Sequence, residues 1–168
     1  MGPTATRMIP PETARLQLSQ MLSPAFPVGG FAWSQGLEYA MDAGWVTRAT
    51  LPRWLEDWLD HGQGWSDAVL LSLALRPGAD NAALDDLARA ACMTSQRLTE
   101  TVEQGTALSA NMAALTGCPQ APAALPVAMG RACAAMSLPA AEIIAAFLQA
   151  QAAALISAAV RFLPLGPV

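Results

Sequence analysis

Few residues in this 168-residue chain are equipped for chemistry, and they do not converge in sequence. The one histidine, His61, precedes Gly62 and Gly64 at a predicted helix end, where an imidazole acts as a cap for exposed carbonyls. A Ser-His-Asp arrangement would depend on His61 alone, and no GxSxG motif accompanies it. Cys92, Cys118 and Cys133 are odd in number, widely spaced and without a CxxC pair. They fit neither a disulfide framework nor a zinc site and read as reduced, buried small hydrophobes of a reducing compartment. Asp57 with Asp60, or Asp85 with Asp86, could hold a divalent ion through carboxylate oxygens. Each pair lies on the polar side of an amphipathic helix, where solvated surface explains it. No GxxxxGK[ST] loop is present, and Gly29-Gly30 lacks the preceding strand and the full spacing of a phosphate cradle. The expectation is a protein with no catalytic residues, no metal ligands and no cofactor.

What must be positioned, then, is a binding surface. The five tryptophans, Trp33, Trp45, Trp54, Trp58 and Trp65, all fall in one short region. Core packing explains such residues by default, while tryptophan is also favoured at interface hot spots.

The elements around them read as helices. Residues 1–12, with Pro3, Pro10 and Pro11, form a flexible leader, and a short helix from Thr13 stops before Pro24. Ser23 to Gly30 is a loop shaped by two prolines and Gly29-Gly30. One helix is predicted from about Phe31 to Ala43, with Trp33, Leu37, Ala40 and Met41 on one face and Gly44 as its cap. Thr50 opens the next, with Pro52 in its first turn and an apolar stripe of Leu51, Trp54, Leu55, Trp58 and Leu59. Further helices cover about 66–75, 80–91 and the run Leu98, Val102, Gly105, Leu108, Met112, Leu115, whose apolar residues step by three or four. Gly105 within that stripe points to a close helix crossing. A helix of about 127–136 and a last one opened by Ser137-Leu-Pro139 complete a single-domain, all-α bundle of about seven to eight helices, spanning residues 13–168.

Composition adds two constraints. The chain is 54% hydrophobic and only 13% charged, against about 25% charged in an average domain, so part of its apolar surface calls for a covering partner or a second copy. A net charge of −4 excludes a clustered basic face for nucleic acid; all nine basic residues are arginine, from which no function follows. Residues 143–160 carry no charge and approach the roughly 20 residues needed to cross a bilayer. A small membrane-associated helical protein is therefore the alternative reading. Many of those positions are alanine, and Gln149 and Gln151 sit near the middle, which favours a helix buried among its neighbours in a soluble protein.

At Ser23-Pro-Ala-Phe-Pro-Val-Gly-Gly-Phe-Ala-Trp-Ser-Gln-Gly-Leu-Glu38 the chain closely resembles the urease accessory protein UreF family. The resemblance continues through Ala43-Gly-Trp-Val46, Trp54 to Asp57, Glu100 to Leu108, Pro126-Val-Ala-Met-Gly130 and Ser157 to Gly166, in family order. It implies an all-α, cytoplasmic, non-enzymatic homodimer that bridges UreD (also called UreH) and the GTPase UreG. It further implies a role in nickel delivery to apo-urease and in control of GTP hydrolysis by UreG. Gly29, Gly30, Ser34, Gly36 and Glu38 match the family's N-terminal signature, and Arg161 its late arginine. Glu38 and Arg161 need partners if buried; an internal tether between helices and direct contact with UreG both remain open. The resemblance also implies a further helix and a C-terminal tail that engages UreD, lying beyond Gly166-Pro-Val168. Without that tail, weakened UreD binding and altered dimerisation are expected.

Overall fold

A computed structural model describes residues 9–163. Eight α-helices and one 3-10 turn make up the architecture of these residues, and no strand occurs among them. In order they are α1 (Pro11–Met21), the 3-10 turn Gly30–Ala32, α2 (Leu37–Asp42), α3 (Leu51–Asp60) and α4 (Gln63–Ala74), then α5 (Asn81–Ala90), α6 (Ser95–Thr116), α7 (Leu125–Cys133) and α8 (Ala140–Phe162). The fold is all-α, as the periodicity predicts.

The starts of these helices follow local rules. Proline occupies the first turn of α1, α3 and α7, where its missing N–H leaves no helical bond unmade. The Asp80 carboxylate accepts from the backbone N–H groups of Ala82 and Ala83 at 3.2 and 3.1 Å, and Thr94 Oγ1 accepts from Arg97 at 3.1 Å. Residues 1–8 of the expected leader lie outside the described residues. Its remainder joins the fold: α1 begins at Pro11, and Ile9 bridges to Met136, donating to Ala135 O at 2.8 Å and accepting from Ser137 N at 3.1 Å.

Packing divides the core in two. One cluster gathers Leu18, Leu71, Leu108, Val127, Ile143 and Phe147 from α1, α4, α6, α7 and the first half of α8. The other gathers Leu37, Met41, Leu51, Trp58, Leu155 and Ala159 from α2, α3 and the second half of α8. The long α8 thus ties both clusters together, while α7 is the innermost helix, buried continuously from Leu125 to Gly130. The expectation that α8 is enclosed on all sides is corrected here. Its Ile143, Phe147 and Leu155 are buried, yet Ile156, Val160 and Phe162 face solvent, so apolarity around a helix overstates its burial when alanine supplies much of it. Of the described helices, α8 has the length and apolarity to cross a bilayer, and in this fold it is a packed element with one core-facing side.

The stripe Leu98–Leu115 also needs correction. The buried face of α6 carries Glu100, Thr101, Gln104, Gly105, Leu108 and Ser109, whereas Leu115 is exposed. The cause is the closeness of the chain leading into α7. A Cβ on Gly105 would collide with Ala123 O and stand 2.6 Å from Leu125 N, so the close crossing expected at Gly105 is present. Small and polar residues face that approach, and the larger ones shift to the flanks.

Candidate functional site

The signature segment is not one helix from Phe31 to Ala43 but a broken element. After the 3-10 turn, Trp33 is extended, Gln35 and Gly36 adopt φ of +53° and +84°, and α2 starts only at Leu37. Gly36 tolerates that conformation without strain; Gln35, with a Cβ, does not, and must be held there. Trp58 on α3 supplies the restraint, its indole Nε1 donating to Gln35 Oε1 at 2.7 Å. Fully buried Leu37 anchors the other end, and Ser34 accepts from Leu37 N through its carbonyl at 3.0 Å. Ser34 Oγ also faces Glu38 N at 3.4 Å.

From this segment Glu38 reaches α8, where Arg161 Nη2 donates to its Oε1 at 3.3 Å. Both side chains stay partly in water, Glu38 40% and Arg161 50% exposed, so the pair is a surface ion pair linking α2 and α8. Gly29 takes φ +76° ahead of the 3-10 turn. Gly30 has no positive φ, and a Cβ added to it would meet nothing within 4 Å, so nothing in the described residues demands glycine there.

Beneath the segment lies a polar network that sequence periodicity does not reveal. Arg97 Nη2 donates to Asp67 Oδ2 at 2.7 Å and its Nη1 pairs with Glu100 Oε2 at 3.0 Å. Gln63 Nε2 donates to Asp67 Oδ1 at 2.8 Å, and Gln104 Nε2 to Glu100 Oε1 at 3.3 Å. Asp67, Glu100 and Gln104 are buried, and the Arg97 side chain is 10% exposed. Two carboxylates thus share one guanidinium. Burial pushes both carboxyls upward in pKa against the opposing pull of Arg97. Burial also opposes the charge on Arg97, but Asp67 and Glu100 together outweigh it and raise its pKa. Arg97 Nε is buried with no hydrogen-bond partner among the described residues. The hint available in sequence was four polar residues, Arg97, Glu100, Thr101 and Gln104, spaced to share one face of the helix that also carries Gly105.

Two clefts flank the segment. The larger, about 650 Å³, runs along α1 and α8 past Leu22, Phe26, Gln104, Met129 and Phe147. The smaller, about 520 Å³, lies between the segment, α3 and the start of α6, and is walled by Trp33, Trp54 and Trp58. Trp33, Gln35 and Glu100 line both. Glu38 lines the smaller cleft and Arg161 the larger, so their ion pair spans the divide.

The remaining candidates fall elsewhere. His61 closes α3 through its backbone N–H, which donates to Asp57 O at 3.0 Å, and is exposed. Asp57 pairs with Arg53 at 2.9 Å on the surface. Asp85, expected to be solvated surface, is instead structural: it accepts from Ala124 N at 2.6 Å and pairs with Arg89 at 2.8 Å, fixing the start of α7. Among the described residues no three His, Cys, Asp or Glu side chains come together to hold a metal ion. The tryptophans divide: Trp58 is buried, Trp33 and Trp54 half-buried on the smaller cleft, and Trp45 and Trp65 exposed.

The fold and site define an all-α protein whose signature segment lies at the surface between two clefts. The family model described as UreF matches residues 45–168. The chain is 78% identical over 160 residues to the urease accessory protein UreF of Paracoccus denitrificans, covering 95% of this chain and 74% of that relative. To the urease accessory protein UreF of Cereibacter sphaeroides it is 54% identical over 154 residues, covering 91% and 73%. With that of Roseobacter denitrificans it shares 42% identity over 163 residues, covering 96% and 73%. No solved structure gives a significant match. The chain belongs to the UreF family of urease accessory proteins.

Proposed function

We propose that the chain is a cytoplasmic, non-catalytic scaffold of urease maturation, joining UreD (UreH) and the GTPase UreG on apo-urease for nickel insertion and tuning when UreG hydrolyses GTP. Family membership sets the process. Within it, the observation that carries the reading is the Gly29–Glu38 segment, pinned by Trp58 at Gln35 and lying between two open clefts. A preformed, half-exposed segment suits a docking surface because little conformational entropy is lost when it is engaged. Gly30, which the described residues do not require to be glycine, fits a place where a partner's backbone comes close. The exposed Ile156 and Val160, one turn apart on α8, support a homodimer or cover by another accessory subunit.

A reconstitution tests the reading: this chain, UreD, UreG, GTP, nickel and apo-urease, with urease activity and GTP turnover as readouts. The expected result is association with UreD, a changed UreG turnover and active urease. Failure of the chain to join UreD and to alter UreG turnover removes the proposal.

A further inference from the structure

We infer that the smaller cleft receives an arginine side chain presented by a partner protein. The inference rests on the docking role proposed above and names the chemistry recognised there.

Three indoles, Trp33, Trp54 and Trp58, and three carboxylates, Glu38, Asp57 and Glu100, line this cleft. Among the described residues Arg97 is its sole lining cation, and Asp67 and Glu100 already neutralise it at 2.7 and 3.0 Å. Its lining carboxylates thus outnumber its lining cation, between aromatic walls. Glu38 and Asp57 are engaged only in half-exposed pairs, with Arg161 at 3.3 Å and Arg53 at 2.9 Å, and such pairs exchange partners at little cost. A cation that stacks on indole and forks onto carboxylates matches both features. Guanidinium does this better than ammonium, being planar and weakly hydrated.

An arginine carried on backbone, and not a bare ion, is the occupant that the docking role calls for. The cleft's volume of about 520 Å³ accommodates one such side chain with adjoining backbone.

The test is a titration of the ¹⁵N-labelled protein with N-acetyl-arginine amide, its lysine counterpart and its uncharged citrulline counterpart, followed at the five indole N–H signals. Signals of Trp33, Trp54 and Trp58 should move with the arginine probe while those of Trp45 and Trp65 stay still. Citrulline should bind about tenfold more weakly, and lysine should fall between the two. Asp57→Asn, an exposed change that leaves the fold intact, should weaken the arginine probe by about two- to fivefold. Shifts that are absent, spread over all five indoles, or equal for arginine and citrulline would overturn the inference. In a second arm, UreG and UreD are each bound to the chain with arginine or citrulline amide as competitor. Selective weakening by arginine supports the site, and binding of both partners untouched by it refutes docking through this cleft. If neither partner binds at all, the scaffold reading fails, and the indole signals still decide the cleft.

Discussion

Arg161, near the end of α8, donates to Glu38 at the start of α2 across 123 positions of sequence, and each residue lines a different cleft. The contact joins the second core cluster at its surface without being enclosed by it. An ion pair so exposed contributes at most about 1 kcal/mol to stability. Glu38→Ala should therefore lower thermal stability slightly while reducing urease activation in reconstitution by a much larger factor. Loss of activation in proportion to loss of stability would instead assign Glu38 to the tether. The charge reversal Glu38→Arg with Arg161→Glu separates the cases, restoring stability but not activation where the carboxylate meets a partner.

Gly105 gives a second prediction. In an exposed helix a glycine-to-alanine change gains about 1 kcal/mol of helix propensity. Here the added methyl would collide with Ala123 O and the backbone around Ala124 and Leu125, none of which can rotate away. Overpacking of about 1–3 kcal/mol or more should outweigh the propensity gain. Gly105→Ala should thus lower the melting temperature, by roughly 2–4 °C per kcal/mol of net loss, and Gly117→Ala at the end of α6 is no substitute control because its φ is +70°. An unchanged or raised melting temperature would refute the close crossing.

Part of the fold was legible because its breakers are local: Thr50 with Pro52, and Asp80, stand at helix starts as the sequence predicts, whereas Pro11 opens α1 inside the expected leader. What stayed hidden depends on distant partners. The break at Gln35 requires Trp58, 23 residues away, to hold a positive φ on a residue with a side chain. Glu100 and Gln104 fall outside the apolar stripe Leu98–Leu115 that the sequence offers, since buried polar groups become tolerable only when partners such as Arg97 and Asp67 are known. Of the site, the signature residues were visible through resemblance, whereas the network beneath them was not.

The cysteines should differ sharply in reactivity. Of the three cysteines expected to be buried only Cys133 is, with its thiol pushed up to about 12 by desolvation; Cys118 is exposed, and Cys92 is half-buried and donates to Ala88 O at 3.3 Å. Burial raises Cys92 as well. At pH ~8, Cys133 should carry about a thousandfold less thiolate than a free cysteine. Iodoacetamide should label Cys118 first and Cys133 only after unfolding, as read by peptide mass spectrometry. The Cys118→Ser variant should lose the fast phase. Rapid labelling of Cys133 in the native protein would contradict its burial.

Glu100 links the buried network to pH. Its carboxyl is raised above the ordinary 4.5, mainly by burial and in spite of Arg97, so the folded protein holds that proton more tightly than the unfolded chain does. Stability from this proton is fully present below pH 4.5 and is lost as pH rises through the higher folded value. Asp67, raised above 3.8 for the same leading reason, contributes with the same sign. Glu100→Gln keeps the shape and, with Gln104 rotated to accept, keeps both hydrogen bonds while removing the titration. Denaturant unfolding at a series of pH values should show the variant gaining on the parent as pH climbs from 4.5, then a constant difference once Glu100 is ionised in both states. A difference that moves the other way would mean that Arg97, and not burial, governs the carboxyl.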